Sequence, residues 1–473
     1  MKYLLFGTGD YYERYKKWFE KRDIVALLDN SEEKQNTFID GIRVLSPKEG
    51  VKREYDIIVI LSFYVKSMKA QLIALGVNEN CIYHFFDLHK LIYKKEIQRP
   101  IRYYGNAEGI IAGKTIGYKK ILLLSHDLML GGPALALYHA AEILCGKGYD
   151  VIFASMIDGP LRQILAKKEI PVIVDENLQI ETMENAEWTF GFDLILCNTI
   201  SYFVYLSERN TSIPIFWWLH DSSFFYDGVD KDILRGIDTT NLDIVSVGPI
   251  PRKAIQEIAP AFKVRELLYG IRDTAKEAED SKTIATDKRI RFMTIGYIEP
   301  RKGQDILIEA IKRLPEEMLP KCEFTLVGQD TSLMAGKLKE DIRMFPQVTL
   351  TGMVDREKID QLLNLTDILI CPSREDPMPT VAGEAMMHSV ACIISDAIGT
   401  TEYIENKESG LVFRSEDSRD LADKIEWCIY HRDEVKRMGR NARKIYEKFF
   451  SMEAFEKNLL HIVEDKIESG EML

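Results

Sequence analysis

Short apolar runs alternate with longer amphipathic stretches along most of this chain, and this alternation constrains the fold more than any other feature. The pattern starts three times. The first series runs from "KYLLFG" to about His89, the second from "KKILLLSHD" to "LLYG", and the third from "IRFMTIG" to "GLVF". Apolar runs separated by amphipathic helices are typical of parallel sheets covered by helices. The sequence therefore predicts a small α/β domain followed by two larger ones.

Polar stretches between the three series indicate the domain boundaries. At 473 residues the chain is too long for a single hydrophobic core. We expect a small domain at residues 1–95, a basic linker without strands at 96–118, a second domain at 119–275 and a third domain at 287–450. The apolar spacing at 453–470 predicts a C-terminal helix.

The charge distribution bears on partners. The formal net charge is −12, whereas nucleic-acid-binding domains present a concentrated positive surface, so we expect no nucleic-acid partner. One segment, "HKLIYKKEIQRPIRYYGNAEGIIAGKTIGYKK", is basic and aromatic. We favour a solvated linker there, with contact to an anionic membrane surface or a lipid-linked substrate as the alternative.

The cysteines and the start of the chain bear on its compartment. Seven cysteines lie in different predicted elements without a C-x-x-C pair, which indicates buried, reduced thiols rather than disulfides or a zinc site. The opening "KYLLFGTGD" lacks a signal-peptide pattern, and no apolar run reaches the length of a membrane span. We expect a cytoplasmic protein, with peripheral attachment to the inner face of the membrane as the alternative.

The densest chemistry of the third series lies between a predicted buried strand, "DILIC", and a predicted helix, "VAGEAMMHSV". The loop between them holds Asp376, and Glu384 follows within the helix. Ligands of open parallel sheets bind beyond the carboxyl ends of the strands, where helix N-termini offer free N–H groups. Two carboxylates there can each accept hydrogen bonds from vicinal hydroxyls. The alternative is that Asp376 caps the helix and Glu384 is a solvated helical residue.

A second loop at the same predicted edge carries cations. "TIGYIEPRKGQDILIEAI" places Gly296 at the end of a strand and Arg301-Lys302-Gly303 at the start of the next helix. Lys302 could reach a diphosphate, a charge-assisted contact of roughly 1.5–3 kcal/mol. A surface lysine at a loop–helix junction is the alternative, but two such loops at one edge favour a ligand site.

Two strand ends of the second series are less specific. "DLMLGGPALALYHAA" has Gly131 and Gly132 before a helix, where bare backbone can approach a phosphate, although two glycines alone favour a plain turn. His220 and Asp221 follow the apolar "IPIFWWL". A lone histidine at such a position is more often a packed, hydrogen-bonded residue than a catalyst.

Taken in order, these motifs resemble those of the retaining, nucleotide-sugar-dependent glycosyltransferases of family four. The matching segments run from Lys120 to about Ile467, and they include "WWLHDSS", "LLYGIRD", "GYIEPRKGQDILIEA", "VTLTGMV", "DAIGTTEYI" and "ESGLVF" besides the loops quoted above. The resemblance implies the GT-B fold, in which two Rossmann-like domains face a cleft. It also implies that residues 119–275 bind the acceptor, that 287–450 bind the donor, and that the helix at 453–470 packs back on the acceptor domain.

The resemblance implies roles by position. The family's paired carboxylates fall on Asp376 and Glu384, which would hold the donor sugar and the ribose hydroxyls. Lys302, Asp376 and His220 are the expected catalytic residues. The expected donor-binding residues are Gly131, Gly132, Gly296, Tyr297, Arg301, Lys302, Met353, Val354, Asp376, Met378, Pro379, Thr380 and Glu384.

Two residues depart from the family pattern. Asp376 stands where Glu is usual, so its carboxylate reaches about one methylene less far. Tyr297 stands where an arginine usually follows the glycine. Tyrosine carries no charge, so Lys302 and Arg301 must neutralise more of the phosphate charge.

The expected reaction is transfer of a sugar from a nucleotide-diphosphate donor to a saccharide or lipid-linked acceptor, in bacterial surface polysaccharide or glycoconjugate synthesis. Retention without an evident carboxylate nucleophile implies a front-face mechanism that needs neither a metal ion nor another cofactor. "DGVDKD", at Asp227–Asp232, is predicted to be a loop rather than a cation site. The alternatives are a non-catalytic subunit that binds a partner or acceptor, which Tyr297 motivates, and a nucleotide-sugar epimerase.

Residues 1–95 resemble the small Rossmann-like domains fused to bacterial sugar-processing enzymes. "LLFGTGDYYERYKKW" places Gly7 and Gly9 after a strand, and Asp29 ends the next strand, as in a dinucleotide fingerprint. Tyr12 fills the third glycine position. We favour a module that binds a protein partner over a nucleotide site.

Overall fold

The computed structural model describes residues 1–92, 99–113, 119–275, 289–329 and 333–470. The chain divides into two compact units. The first comprises Met1–Val245, Arg252–Arg265 and the residues from Lys466 onward; the second comprises Ser246–Pro251 and Glu266–Asp465.

The first unit begins with the small domain, whose described residues form a six-stranded sheet in the order β3-β4-β2-β1-β5-β6. All pairs are parallel except β3 with β4. The strands are β1 (Lys2–Phe6), β2 (Asp23–Leu28), β3 (Phe38–Ile39), β4 (Ile42–Leu45), β5 (Ile57–Ile60) and β6 (Ile82–His84). The helices are α1 (Asp10–Tyr15), α2 (Pro47–Gly50), α3 (Val65–Ala74) and α4 (Leu88–Leu91).

The second domain is built on a larger sheet, eight-stranded over the described residues, in the order β14-β13-β12-β11-β8-β9-β10-β7. Its strands are β7 (Arg102–Tyr104), β8 (Lys120–Ser125), β9 (Asp150–Ser155), β10 (Val172–Val174), β11 (Leu194–Asn198), β12 (Ile215–Leu219), β13 (Leu242–Ser246) and β14 (Val264–Glu266). Its helices are α5 (Ala107–Ala112), α6 (Gly132–Gly146), α7 (Leu161–Lys167), α8 (Lys231–Gly236) and α9 (Pro249–Ile258). The central strands β8, β11 and β12 are almost wholly buried, as their continuous apolar runs predict.

The prediction of a strand-free linker at 96–118 is wrong for its described middle part. Arg102–Tyr104 form β7, which pairs antiparallel with β10 at the sheet edge, and α5 follows. The aromatic residues of "RYY" suit a half-buried edge strand, but the surrounding charges hid this signal. The ends of the predicted linker, 96–98 and 114–118, lie outside the described residues.

The second unit contains the third domain, in which the described strands form one parallel sheet in the order β17-β16-β15-β18-β19-β20. The strands are β15 (Ile290–Ile295), β16 (Cys322–Val327), β17 (Val348–Leu350), β18 (Ile368–Cys371), β19 (Ala391–Ser395) and β20 (Gly410–Phe413). The helices are α10 (Gln304–Ile311), α11 (Leu333–Ile342), α12 (Arg356–Asn364), α13 (Thr380–Met387), α14 (Ser418–Tyr430), α15 (Arg432–Ile445) and α16 (Met452–Gly470). The predicted α/β class with parallel sheets is confirmed.

Two features bear on the predicted compartment: the burial of the cysteine thiols, and the length and hydropathy of the helices. All seven cysteines lie in the described ranges as free thiols; five are buried, but Cys145 is exposed, contrary to the expectation of buried thiols. Among the described helices, none is both long and apolar enough to span a bilayer.

The end of α16 returns to the first unit. Its Lys466 belongs to that unit, and the Lys466 Nζ lies 3.0 Å from a carboxylate oxygen of Asp243 in β13. The predicted domain limits and the packing of the C-terminal helix on the acceptor domain stay predictions.

Candidate functional site

In the third domain, the two loops singled out in the sequence meet at one sheet edge. They follow the neighbouring strands β15 and β18. The Lys302 Nζ lies 2.6 Å from the Oδ2 of Asp376, and the Nη1 of Arg301 lies 3.4 Å from the same oxygen. Arg301 also pairs with Glu299 at 2.8 Å. The structure thus joins the predicted cationic and acidic motifs in one ion-pair cluster.

Asp376 is 6% exposed, so its charge depends on these cations. Burial alone would raise the pKa of Asp376, but Lys302 and Arg301 outweigh burial and hold that pKa below its usual value. Asp376 is therefore an ionised carboxylate that fixes the position of the Lys302 ammonium.

A glycine allows Lys302 to reach this position. Pro300–Lys302 form one turn of 3-10 helix, and Gly303 then turns the chain into α10 with a φ of +68°. A Cβ at Gly303 would lie 2.1 Å from the carbonyl oxygen of Pro372. Both the left-handed backbone and the close approach of the two loops require glycine here.

Arg374 links the Lys302 loop to the Asp376 loop. It was not among the site residues predicted from the sequence. Its guanidinium forms a two-pronged pair with Asp305, at 2.9 and 2.8 Å, and donates to the carbonyl of Pro300 at 2.5 Å. Its backbone N–H donates to the carbonyl of Arg301 at 2.8 Å. These bonds hold the Lys302 loop against the Asp376 loop.

Glu384 lies in α13, is 6% exposed, and accepts a hydrogen bond of 2.6 Å from the Nη1 of Arg356. Burial raises the pKa of Glu384, and Arg356 opposes that rise. Arg356 was also missed in the sequence. It directly follows Asp355, which caps α12 just after the expected base-binding residues Met353 and Val354. The sequence signal for Arg356 was its position, two residues after Val354 in the predicted base-binding loop.

The remaining donor-binding positions surround this cluster. Met378 and Pro379 are buried ahead of α13, Thr380 begins that helix, and Tyr269 donates to the carbonyl of Met378 at 2.8 Å. The backbone N–H of Gly399 donates to the carbonyl of Asp376 at 2.9 Å. The loop is therefore held by its backbone on both sides.

Apolar side chains are exposed at two of the expected positions. Gly296 directly follows β15 with a φ of +151°, and Tyr297 after it is 62% exposed. Met353, beyond β17, is 75% exposed, and Val354 is half-buried. Exposed apolar groups at a sheet edge suit a flat nucleobase.

In the second domain, Gly131 and Gly132 are exposed at the start of α6, which has no side-chain cap. Asn198, at the end of β11, donates to the carbonyl of Pro133 at 2.7 Å and so fixes this helix start. Pro133 has no N–H, so the N–H groups that this helix start can offer to an oxygen-rich ligand are those of its neighbours.

His220 is a neutral imidazole in this structure. It is buried against Trp218, with the ring centroids 4.4 Å apart, and burial followed by the proximity of His126 lowers its pKa to about 3. Burial raises the pKa of Asp221 to about 7, against the bonds that Asp221 accepts from backbone N–H groups, one of them 2.7 Å from Ile200. His220 can thus donate or accept a hydrogen bond without carrying charge.

Several buried polar atoms near His220 lack a partner among the described residues. They are the Nδ1 of His126, the Oδ1 of Asn198, the Nε2 of His220 and the hydroxyl of Tyr226. His126, Asn198 and His220 lie at the ends of the adjacent strands β8, β11 and β12. Unpartnered buried polar atoms are costly, so such a group favours a ligand or ordered water. The triplets "SHD", "CNT" and "LHD" at the three strand ends were the signal in the sequence.

The predicted cation-site alternative at Asp227–Asp232 can be examined directly. Ser223–Gly228 form a 3-10 helix and Asp230 caps α8, so this segment is partly helical rather than the predicted loop. Within the described ranges, no three His, Cys, Asp or Glu side chains are grouped as for a metal ion.

In the small domain, most residues of the dinucleotide fingerprint contact other groups of the same domain. Asp29 accepts hydrogen bonds from the backbone N–H and hydroxyl of Thr8 and from the backbone N–H of Ser31. Gly7 has a φ of +110°, and a Cβ there would lie 2.6 Å from the carbonyl of Leu61. The buried Tyr12 donates to Asp40 at 3.0 Å. The interaction module and the role of Gly9 and Asp29 in nucleotide binding both stay predictions.

Three families match successive parts of the chain. Residues 1–83 match the family described as C2185-like, N-terminal; residues 117–242 match glycosyl-transferase family 4; residues 275–445 match glycosyl transferases group 1.

Relatives and solved structures agree with these matches. The chain is 24% identical over 281 residues to α-D-kanosaminyltransferase of Streptomyces kanamyceticus, covering 54% of this chain and 71% of that protein. It is 23% identical over 366 residues to spore coat protein SA of Bacillus subtilis, covering 70% and 95%. The structure of Anabaena HepE with UDP superposes with a TM-score of 0.61 at 19% identity, covering 73% of this chain and 100% of HepE.

These findings identify a glycosyltransferase of the group 1 and family 4 type with a GT-B fold, preceded by a small α/β domain. The predicted enzyme class and fold are confirmed. The retaining mode and the roles of individual residues stay predictions.

Proposed function

We propose that this glycosyltransferase transfers a hexose from a nucleotide-diphosphate donor to a saccharide or lipid-linked acceptor, with retention of the anomeric configuration, in bacterial surface polysaccharide or glycoconjugate synthesis. The observation that carries the proposal is the ion pair between Lys302 and Asp376, 2.6 Å apart at the edge of the third-domain sheet. An ammonium has three donors, and the bond to Asp376 uses one of them. Lys302 can therefore bind a phosphate oxygen without leaving Asp376.

Lys302 and Arg301 would together bind the diphosphate. Arg301 contributes a second positive charge beside the same carboxylate, which compensates for the uncharged Tyr297. UDP is bound in the HepE structure, so uridine nucleotides are the first donors to test. The exposed Tyr297 and Met353 would contact the base, and Glu384 would accept bonds from the ribose hydroxyls beside Arg356.

The proposed reaction is a front-face displacement. The bond between the anomeric carbon and the diphosphate oxygen breaks while the acceptor oxygen bonds to that carbon from the same side. The departing phosphate oxygen takes the acceptor proton. Lys302 stabilises the charge that develops on the diphosphate. The neutral His220 donates one hydrogen bond to the donor sugar or accepts one from it.

Thermal-shift screening tests the donor site. The wild type, Lys302→Ala and Lys312→Ala would be screened with UDP, GDP, dTDP and their common sugar conjugates. Lys312 is the matched control, since it is also paired with carboxylates of the third domain but lies at the far end of α10. At a hundredfold excess over Kd, binding stabilises the protein by about 2.7 kcal/mol. We expect a shift with one nucleotide series, lost only in Lys302→Ala.

Other outcomes would contradict the proposal. If the wild type shows no shift with any nucleotide, the non-catalytic subunit that Tyr297 motivates becomes the better reading. Conversion of the donor sugar without an acceptor would identify an epimerase. If NMR of a transferred product shows an inverted anomeric centre, the retaining mechanism is wrong.

A further inference from the structure

The small domain and the second domain share one hydrophobic core. Tyr3 of the small sheet and Trp18, in the 3-10 helix after α1, belong to the same buried cluster as Leu122 and Trp217 of the large sheet. The other face of the small sheet has a separate core, with Leu4 and Phe6. One face of the small domain is therefore buried against the second domain.

An aromatic seam lies on this shared face, and we define it as Tyr11, Phe63, Phe224 and Phe225. The ring centroids of Tyr11 and Phe63 are 5.9 Å apart, and Phe63 lies 5.4 and 6.5 Å from Phe224 and Phe225. Phe224 and Phe225 closely follow His220 and Asp221 in the chain. The small domain thus contacts the second domain beside the strand end that carries His220.

Arg14 reaches from the small domain into this edge. It lies in the last turn of α1, and its guanidinium carbon sits 5.6 Å from the centroid of the Tyr11 ring. Its Nη1 donates to the Oδ2 of Asp127 at 3.1 Å. The side chain of Asp127 is 5% exposed and that of Arg14 is 30% exposed.

Asp127 organises the loop between β8 and α6. Its Oδ1 accepts from the backbone N–H of Met129 at 3.0 Å, and its backbone carbonyl accepts from the hydroxyl of Ser125 at 2.6 Å. Its Oδ2 lies 3.4 Å from the Nε2 of His126. Gly131 comes two residues after Met129, so the bond from Asp127 to Met129 helps to set where the free N–H groups at the start of α6 point.

The negative charge of Asp127 is unfavourable for binding an anionic ligand at this edge. A buried carboxylate without a counter-charge repels an anionic ligand. Burial lowers the pKa of the adjacent His126, so that imidazole is a poor source of positive charge. Arg14 supplies the positive charge instead.

We propose that Arg14 is a positioning residue for the transfer reaction: the small domain completes the catalytic edge of the second domain by neutralising Asp127 and fixing the glycine loop at 126–132. The part that concerns catalysis rests on the proposed function and on the predicted role of Gly131 and Gly132 in donor binding. The small domain then supports the catalytic edge through Arg14 without contacting the substrate.

A double-mutant cycle on the full chain tests this inference. Arg14→Gln is expected to lower kcat/KM for the donor about tenfold. A change of that size is typical when two side chains in contact are energetically coupled. In the Asp127→Asn background the same change should cost little, because the charge to be neutralised is gone. Arg14→Lys, which keeps the charge, should recover part of the activity. The matched control is Lys16→Gln, since Lys16 pairs with Glu13 and Asp40 inside the small domain.

Hydrogen exchange of the peptide that covers residues 126–135 provides a readout that needs no donor. Arg14→Gln should speed exchange there about tenfold, and Lys16→Gln should not change it. Unchanged exchange and kcat/KM in Arg14→Gln would overturn the inference, as would an equal loss with and without Asp127→Asn. If the wild type bound no nucleotide sugar, the proposed function would fail, and exchange would still decide whether Arg14 orders the loop.

Discussion

At the scale of single residues, the two buried carboxyl groups of the third domain behave in opposite ways. The pKa of Asp376 is lowered, because Lys302 and Arg301 outweigh burial, whereas the pKa of Glu384 is raised, because Arg356 does not. Asp376 has two cations beside it, whereas Glu384 has one, and the nearby Asp360 raises the pKa of Glu384 further. Asp376 is fixed in its ionised form, and Glu384 remains sensitive to its neighbour.

Arg356→Gln should therefore change the pH dependence of donor binding. Without Arg356 the pKa of Glu384 rises further, so the ionised form that accepts ribose hydroxyls is reached only at higher pH. We expect donor affinity to fall with decreasing pH, and this fall should begin at a higher pH in the variant than in the wild type. Calorimetric titration with the donor measures this. Arg437→Gln, which removes an arginine paired with Glu434 and Glu408, is the control. Identical pH profiles would contradict the assigned role of Glu384.

Asp221→Asn should change how stability depends on pH. The folded-state pKa of Asp221 is raised to about 7 from 3.8, so the folded state holds a proton that the unfolded state releases. Stability from this group is present below about pH 4 and is lost as pH rises to about 7, amounting to about 4 kcal/mol. The melting temperature of Asp221→Asn relative to the wild type should rise between pH 5 and pH 8. A difference that stays constant with pH would show that Asp221 does not titrate in this range.

Sequence reasoning found some residues of the site and missed others for identifiable reasons. Lys302 and Asp376 were placed at one sheet edge because each follows a buried strand. Their direct ion pair spans 74 positions in the chain and depends on the loop conformation, which no local pattern encodes. Arg356 and Arg374 were missed for the same reason, since each matters only through a distant partner.

At the scale of elements, the junction of the two third-domain loops depends on Gly303. Gly303→Ala would place a methyl group against the carbonyl of Pro372 and force alanine into a left-handed backbone. We expect a loss of at least about 2 kcal/mol in the free energy of unfolding. Thermal unfolding measures it. Gly336→Ala in α11 is the control, since no atom lies within 4 Å of its added Cβ and alanine favours helix. Equal effects of the two substitutions would contradict the role of the junction.

The central strands were predictable because each is a continuous apolar run. β7 was not, because it has three residues in a charged segment and is defined by pairing with β10, about 70 positions away in the chain. The start of α8 was not predictable either, because its capping residue, Asp230, is one of three closely spaced aspartates in "DGVDKD".

At the scale of the whole molecule, the GT-B fold was predictable from the order of motifs, whereas the use of the small domain was not. Its fingerprint is incomplete, and the residues that join it to the second domain, such as Phe63 and Trp18, read as ordinary core residues. Trp18 donates to Gln179 at 3.1 Å, and Lys90 pairs with Asp230 at 2.6 Å. Only the assembled fold shows that these contacts cross between domains.

A chain that begins at Lys119 should not behave as a stable protein. Its truncation would expose the large-sheet side of the shared core, including apolar groups packed against the small domain. We expect insoluble protein or elution in the void volume on size-exclusion chromatography, compared with the full chain as control. A monodisperse product with an unchanged melting temperature would show that the small domain is dispensable for folding.

The edge strand β7 has a consequence for exchanging modules between enzymes. Because Arg102–Tyr104 are hydrogen-bonded into the large sheet, the piece that can be transplanted does not end where the small sheet ends. A chimera that moves the small domain onto another glycosyltransferase must carry residues 1–113, and the recipient must offer an open sheet edge. A graft cut at residue 92 would leave β7 behind, still paired with β10, and would give the recipient a module with no strand to anchor it.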